Sequence, residues 1–340
     1  MIRVPTRQLV NDLSLAIDST LGSLLLRGDR CALVDYPGHS NVGDSAIWLG
    51  ERAYLDRAGV VVTYACDAST YSEEQLRSRV GNGPILIHGG GNLGDLWPRH
   101  QELREAVIRA FPRNKIIQLP QTLWFSEQES LARARAAFDS HPDLTLLVRD
   151  RRSLELARAN FRATSLLCPD MAFALGPLPR PGAPDRDLLC LLRQDIESTG
   201  HALATEGLSA VSVDWLGDQS SARLRLERFL VAQRCRHPRV SDWCAPILVP
   251  LQPRLWNGLA RERVQRGCVM LGRGKVVITD RLHGHILCLL LGIPHVVLDN
   301  TYRKVSSFFE AWTQTSDLAH WATTPHEAVK VASSLIERAA

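Results

Sequence analysis

The residue types best suited to chemistry in this chain lie in Thr279-Asp280-Arg281-Leu282-His283-Gly284-His285. A guanidinium and two imidazoles stand there between two apolar runs, Lys275–Thr279 and Ile286–Leu291. The first run reads as a buried parallel strand and the second as the inner face of a helix. Ligands of open α/β sheets gather beyond the carboxyl ends of strands, beside helix N-termini that favour anions. Arg281 and His283 at such a point suit a negatively charged substrate with proton transfer close by. The segment alone also fits a structural role, with Asp280 capping the helix, Arg281 paired to it and both histidines satisfied by neighbours.

Four further segments follow apolar runs in the same way. In Asp35-Tyr36-Pro37-Gly38-His39-Ser40-Asn41-Val42-Gly43-Asp44, two glycines permit close backbone approach, and Asp44 either meets a ligand or caps the helix it opens. His88-Gly89-Gly90-Gly91-Asn92-Leu93-Gly94-Asp95 places three glycines in succession, which is costly in backbone entropy unless the main chain itself must meet a ligand. It is not a dinucleotide fingerprint, because no acidic residue closes a second strand at the needed distance, and no GK[ST] follows to make a phosphate-binding Walker loop. Val148-Arg149-Asp150 and Leu192-Arg193-Gln194-Asp195-Ile196-Glu197 each add a cation at the end of an apolar run. Convergence of these ends on one cleft gives them more weight than any has alone.

The elements that must position these residues alternate. Cys31–Asp35, Val60–Tyr64, Ile85–His88, Lys115–Gln118 and Leu144–Val148 read as strands. Between them Asp44–Ala58, Ser72–Val80, Gln101–Phe111, Ser126–Ser140 and Arg152–Asn160 have helical patterns, so the first half builds βαβ units on a parallel sheet. Four prolines and two glycines in residues 176–184 break the rhythm and mark a linker. Beyond it, Leu188–Leu192, Ala210–Val213, Pro246–Val249, Lys275–Thr279 and His295–Leu298 read as strands, with helices at Arg223–Arg234 and Leu255–Leu271. The expected fold is α/β, with two Rossmann-like doubly wound domains facing across a cleft. The expected boundaries are 1–176 for the N-terminal domain, 177–186 for the linker and 187–305 for the C-terminal domain. A helical segment over 306–340 completes the chain and is free to pack back on the N-terminal domain.

Composition sets the limits. At 340 residues, 45% hydrophobic and 22% charged, the chain can bury two ordinary cores. A net charge of +4 without a dense Lys/Arg block does not suggest a nucleic-acid partner. The basic residues are 36 Arg and 4 Lys, a skew too global to carry function. Eight scattered cysteines have no zinc-ligand spacing, so no metal site is expected and the thiols read as free and buried in a reducing compartment. No signal-peptide pattern opens the chain, and the longest apolar stretch, Ile286–Leu298, is broken by Pro294 and His295. A cytoplasmic protein without a transmembrane segment is expected, with peripheral contact at the inner membrane face left open.

Taken together, the segments resemble the polysaccharide pyruvyl transferase family. The resemblance is carried by Asn41-Val42-Gly43-Asp44-Ser45-Ala46-Ile47, His88–Asp95, Gln118-Leu119-Pro120-Gln121-Thr122, Arg149-Asp150 with Ser153, Cys168-Pro169-Asp170, Leu192-Arg193 with Asp195 and Glu197, and Thr279–Gly284. They stand in the family's order over roughly residues 30 to 310. The resemblance implies two Rossmann-like lobes of the GT-B type. It also implies transfer of the pyruvyl group of phosphoenolpyruvate to two hydroxyls of a sugar, leaving a cyclic ketal and releasing phosphate. Arg149 and Arg281-Leu282-His283 match residues that hold phosphoenolpyruvate, and Asp95 falls in the region of an acidic active-site residue.

The chemistry suits the residue types: guanidiniums fix a carboxylate and a phosphate, and an imidazole titrates near neutral pH. The expected acid–base groups are His283, Asp44 and Asp95. The expected phosphoenolpyruvate contacts are Arg149, Arg281, Leu282, His283, Gly90, Gly91, Asn92 and Arg193. His285 and His88 are read as structural. No cofactor is implied beyond phosphoenolpyruvate as donor, and the acceptor is a sugar on a lipid or nucleotide carrier. Two other functions share this scaffold, a nucleotide-sugar glycosyltransferase and a non-catalytic glycan-binding member of an export assembly. The first needs a ribose-binding Glu for which no candidate stands out, and intact Arg149, Arg281 and His283 argue against the second.

Overall fold

The structure is a computed structural model that describes residues 3–193, 200, 203–205, 207–215, 225, 229, 238–300 and 303–339. Two parallel sheets organise it. The first contains β1 (Arg30–Val34), β2 (Val61–Cys66), β3 (Ile85–Ile87), β4 (Gly90–Gly94), β5 (Ile116–Trp124), β6 (Leu144–Val148) and β7 (Thr164–Leu167). Its order is β2-β1-β3-β5-β6-β7, with β4 pairing against the far end of β5. The central strands β3, β5 and β6 are apolar-rich runs buried on both faces, as the core of a parallel sheet requires, with β6, Leu-Thr-Leu-Leu-Val, buried throughout, while β2 and β7 at the edges are partly open. The second sheet has the order β12-β11-β10-β8-β9, built from β8 (Arg186–Leu191), β9 (Ala210–Val213), β10 (Gly274–Thr279), β11 (His295–Val297) and β12 (Ala319–Trp321).

Parallel pairing has one decisive consequence: in each sheet all carboxyl ends emerge on the same side. Helices return the chain between strands. In the first half these are α1 (Thr6–Gly22), α2 (Val42–Ala58), α3 (Glu73–Val80), α4 (Pro98–Ala110), α5 (Gln128–Asp139) and α6 (Arg151–Asn160). In the second they are α7 (Pro238–Gly272), α8 (Leu282–Leu291), α9 (Lys304–Phe308) and α10 (Pro325–Ala339). The main hydrophobic cluster runs from the first sheet (Leu33, Ile117) through α2 (Ile47, Trp48) to one face of the second (Leu189, Leu191, Val277). The alternate residues Leu188, Cys190, Val276 and Ile278 face a smaller cluster closed by Ala328, Ala332 and Ile336 of α10. This period of two separates the faces of β8 and β10.

Several details depart from the expectations. The run Pro246–Val249 lies inside α7, not in a strand; an apolar run this short fits a buried helix as well as a strand, and its continuation into Leu255–Leu271 decides for the helix. The expected helix Arg223–Arg234 falls almost wholly outside the described residues. The segment after 305 is helical at both ends but inserts β12 beside β11, where His295 pairs with Ala319 and Val297 with Trp321. Its first part touches the N-terminal half through the Val4–Ser316 bridge and a Trp312 Nε1 bond to the Arg149 carbonyl at 2.8 Å, while α10 packs on β10 and β11. Helix α1 was not among the expected elements; it buries Leu9, Leu13, Ile17 and Leu21 at four-residue spacing.

The proline-rich stretch has no regular structure and is pinned, with Leu178 N–H donating to the Leu290 carbonyl at 2.7 Å and Arg180 to the Gly272 carbonyl at 3.0 Å. Cys31, Cys66, Cys168, Cys190, Cys268 and Cys288 are free and buried, and burial pushes their thiols up, Cys31 to about 12. Among the described residues, no helix is long and apolar enough to cross a membrane.

Candidate active site

Because the strands are parallel, the residue just past each one lands on the same rim. His88 follows β3, Arg149 follows β6, Arg193 stands two past β8, Trp215 two past β9 and Arg281 two past β10. These residues border one cavity of about 420 Å³, joined by Gly91 and Asn92 of β4 and by Asn41 and Asp44 at the start of α2. Helix α2 is capped by Asn41, whose Oδ1 accepts from Gly43 N–H at 2.9 Å, so Asp44 is free of that duty and sits in the first helical turn. Asp280, the other expected cap, instead accepts from Arg193 N–H at 2.9 Å and ties the ends of β8 and β10 together.

One wall is a buried ionic cluster. Arg149 donates from Nη1 to Asp170 at 2.6 Å and from Nε to Thr122 Oγ1 at 2.9 Å. Asp170, which follows β7, also lies 3.4 Å from His283 Nε2 and accepts from Ala172 N–H at 2.9 Å. Burial pushes the Asp170 carboxyl up, but the adjacent imidazole of His283, Arg149 and that N–H outweigh it and hold the group far below the usual carboxylate range. His283 reaches this position across Gly43: a β-carbon on Gly43 would lie 2.3 Å from His283 Nδ1. Arg149 in turn crowds Gly91, where a β-carbon would meet its Nη2 at 3.0 Å and Lys304 Nζ at 3.6 Å. Glycine at 43 and 91 therefore reflects close approach by functional side chains.

The floor is a polar network. Arg104, fully buried, donates to Gln118 Oε1 at 2.6 Å, Gln101 Oε1 at 3.0 Å and Asn92 Oδ1 at 2.9 Å. Gln121 donates to the same Asn92 oxygen at 2.7 Å and accepts from Asn92 N–H at 3.1 Å. Asn92 is thus held from three directions. Burial lowers the Arg104 guanidinium to about 10, with Asp35 and Glu105 opposing. Asp35, at a left-handed φ of 74°, pairs with His100 Nδ1 at 2.7 Å on the cavity rim. His88 pairs through Nδ1 with buried Glu51 at 2.8 Å, and Glu51's second oxygen accepts from Gly89 N–H at 2.8 Å. Burial would lower His88, but Glu51, Asp35 and Asp44 raise it above the usual imidazole value. Asp44, pushed up by burial, is drawn down further by His39, His283, His88 and Arg149.

The opposite wall comes from the second sheet. Arg281 pairs with Asp214 at 2.7 Å and lies 5.9 Å from the ring of Trp215, whose buried Nε1 has no hydrogen-bond partner among the described residues. Asn300 and Lys304 complete the lining, with Lys304 N–H donating to Asn300 Oδ1 at 3.1 Å.

Of the expected site residues, Asp44, Gly91, Asn92, Arg149, Arg193, Arg281, Leu282 and His283 border this one cavity. Gly90 lies just behind the lining, where a β-carbon would stand 3.7 Å from Asp44 Oδ1. Asp95 is elsewhere: its Oδ2 accepts from Ser126 N–H at 2.6 Å and Glu127 N–H at 2.7 Å, fixing the loop ahead of α5. The sequence reading missed His100, His39, Asn300 and Lys304 as lining, and read His88 as structural although it borders the cavity. His285 is structural: its ring is buried between His295 at 2.7 Å and Thr313 at 2.8 Å. Among the described residues no three His, Cys, Asp or Glu side chains group as a metal site.

The family model described as polysaccharide pyruvyl transferase matches residues 41–302. The chain is 34% identical over 322 residues to Pyruvyl transferase 1 of Schizosaccharomyces pombe, covering 91% of this chain and 76% of that protein. It is 31% identical over 281 residues to EpsO of Bacillus subtilis, whose name assigns it provisionally as a pyruvyl transferase, covering 82% and 84%. Among solved structures, an uncharacterised protein of Klebsiella pneumoniae shares the fold with a TM-score of 0.56 at 18% identity, over 92% of this chain and 99% of that one.

Proposed function

Since the chain belongs to the polysaccharide pyruvyl transferase family, we propose that it moves the pyruvyl group of phosphoenolpyruvate onto two hydroxyls of a glycan sugar, forming a cyclic ketal and releasing phosphate. The observation that carries this reading is the meeting of Arg149 from the first sheet with Arg281 and Lys304 from the second half around one cavity that also holds Asp44 and His283. Phosphoenolpyruvate has a carboxylate at one end and a phosphate at the other, and separated cations suit both ends at once. We read the two sheets as the Rossmann-like lobes of a GT-B-like enzyme, with 177–186 as the linker.

In this reading Arg149 and Arg281 clamp the two anionic ends, each held rigid by its own carboxylate, Asp170 and Asp214. Lys304 adds charge beside Gly91, and Arg193 extends the cationic wall. His283 borders the same cavity beside Asp170 and Arg149 and contacts the donor there. Asp44, kept ionised by the surrounding imidazoles, is the base that takes a proton from the acceptor hydroxyl. The acceptor sugar enters past Trp97, which is 42% exposed and stands on the cavity rim. The test is phosphate release from phosphoenolpyruvate by purified protein, with and without lipid-linked and nucleotide-linked glycans. Acceptor-dependent release that Arg281→Ala abolishes supports the reading; no release with any acceptor refutes it.

A further inference from the structure

Among the described residues four imidazoles border the cavity, and one is built differently from the others. His39 is half exposed, and His100, turned to Asp35, remains partly open to solvent. His283 has one nitrogen towards Asp170 and the other against Gly43. Among the described residues Nε2 of both His283 and His88 is buried without a hydrogen-bond partner, but only in His88 is the other nitrogen, Nδ1, held by a buried carboxylate. The clamp is rigid, because Glu51 is itself fully buried and its two oxygens take two donors, His88 Nδ1–H and Gly89 N–H, each at 2.8 Å. Trp48 lies beside the ring at 6.1 Å. A carboxylate on Nδ1 fixes the tautomer and leaves Nε2 on the opposite edge of the ring, the arrangement that serves acid–base catalysis wherever a carboxylate orients an imidazole.

We propose that His88, oriented by Glu51, is the proton donor of the transfer reaction. This rests on the phosphoenolpyruvate reading above and adds a residue to it. In the first step the His88 Nε2–H proton goes to the methylene carbon C3, whose bonding pair comes from the C2=C3 double bond. The acceptor hydroxyl oxygen supplies the pair for the new C2–O bond, and its proton passes to Asp44. In the second step another hydroxyl of the sugar displaces phosphate from C2, its proton returns to His88 Nε2, and phosphate leaves with the proton from Asp44. Both groups end as they began, and no oxidant or metal is consumed. The charged groups that face His88 are Glu51 and Asp44 from α2 and Asp35 from the end of β1, all carboxylates, which favour the imidazolium the first step needs. Glu51 is a positioning residue: it touches His88 and not the substrate.

Glu51→Gln and His88→Ala test this together. A glutamine keeps an acceptor oxygen for Gly89 N–H but turns a donor to His88, so it can hold a neutral imidazole through Nδ1 and not the imidazolium that Glu51 holds. Removing a general acid costs on the order of 100-fold or more in kcat, and His88→Ala is expected to lose that much while its KM for phosphoenolpyruvate moves far less. Added imidazole is expected to restore part of the turnover. In Glu51→Gln the alkaline limb of the kcat profile is expected to move down by about one pH unit or more. A folded His88→Ala variant with near wild-type kcat overturns the proposal, and so does an unmoved limb in folded Glu51→Gln. Nitrogen-15 NMR of histidine in the wild-type protein needs no variant to fold: Nε2 of His88 is expected to carry its proton at neutral pH, and a neutral, unprotonated Nε2 overturns the assignment. If wild-type protein releases no phosphate from phosphoenolpyruvate, the donor reading fails separately, and the NMR titration still decides whether His88 stands ready to give a proton.

Discussion

Gly43→Ala offers a clean test of the site geometry, because helix propensity and site geometry predict opposite signs. Gly43 is helical in the first turn of α2, and its φ is not in the left-handed region. By propensity alone, alanine there stabilises by about 0.5–1 kcal/mol. The site says otherwise: the added carbon would lie 2.3 Å from His283 Nδ1, 2.5 Å from Cγ and 2.7 Å from Cβ. Ordinary contact begins near 3.4 Å, so the imidazole and the N-terminus of α2 must separate by about 1 Å. His283 is buried and backed by Asp170, so the ring has little room to yield. Overpacking of this kind costs about 1–3 kcal/mol in stability, and a displacement of about 1 Å in a catalytic group costs on the order of 100-fold in rate.

The assay is acceptor-dependent phosphate release alongside thermal unfolding. Gly43→Ala is expected to melt below wild type and to lose about 100-fold in kcat/KM. Placed on a His283→Ala background, where the ring is gone, the same change is expected to be neutral or stabilising. A Gly43→Ala protein that melts at or above wild type with near-normal turnover would refute the reasoning.

Three further outcomes follow. Asp170→Asn leaves Arg149 buried without its counter-charge and is expected to cost about 3–5 kcal/mol in denaturant unfolding. Asp170 is depressed in the folded state, so its stabilisation is present above the ordinary carboxylate range and is lost as pH falls through that range and below. Asp95→Ala removes an acceptor of two backbone N–H groups and is expected to cost about 1–3 kcal/mol in stability while kcat stays close to wild type; a kcat collapse in folded protein would return Asp95 to the active site. His285 and His295 are buried and neutral, pushed down by burial first and then by neighbouring imidazoles, with His295 at about 4. For a histidine so lowered, the unfolded chain binds the extra proton, so stability falls as pH drops from the ordinary value near 6.5 to about 4. His295 alone accounts for up to about 3 kcal/mol over that window. His295→Gln should flatten that part of the pH–stability curve, and an unchanged curve would show that the pair does not titrate there.

Much of the site was legible because it sits where parallel strands end. An apolar run closing on Arg149 or Arg281 announces both the strand and the side on which the charge emerges, and His283 follows two residues after Arg281. The reading failed where position depends on contacts between distant segments. Lys304 reaches the cavity from a short helix after β11, with no spacing to betray it. Asp170 matters because β7 lies beside β6, which puts its carboxylate on Arg149. Asp95 stands four residues beyond Gly91, which does line the site, but Gly94, at φ 127° and packed on the Trp124 carbonyl, turns the chain so that the carboxylate meets the loop before α5. Asp44 was weighed as a cap; Asn41 takes that role three residues earlier, a choice between two capping residue types that sequence alone does not make. His88 was placed beneath the glycines, but its pairing with Glu51 joins a strand end to the third turn of a helix and only the fold reveals it.

The account turns on donor and product. Phosphoenolpyruvate labelled with carbon-13 at C2, incubated with the protein and a glycan acceptor, is to be followed by carbon and phosphorus NMR together. The account predicts that the enol carbon signal is replaced by a ketal carbon on the acceptor, in step with free phosphate and only when Arg149 and Arg281 are intact. Phosphate appearing with free pyruvate and no ketal, or no change in either nucleus with any acceptor, would contradict it.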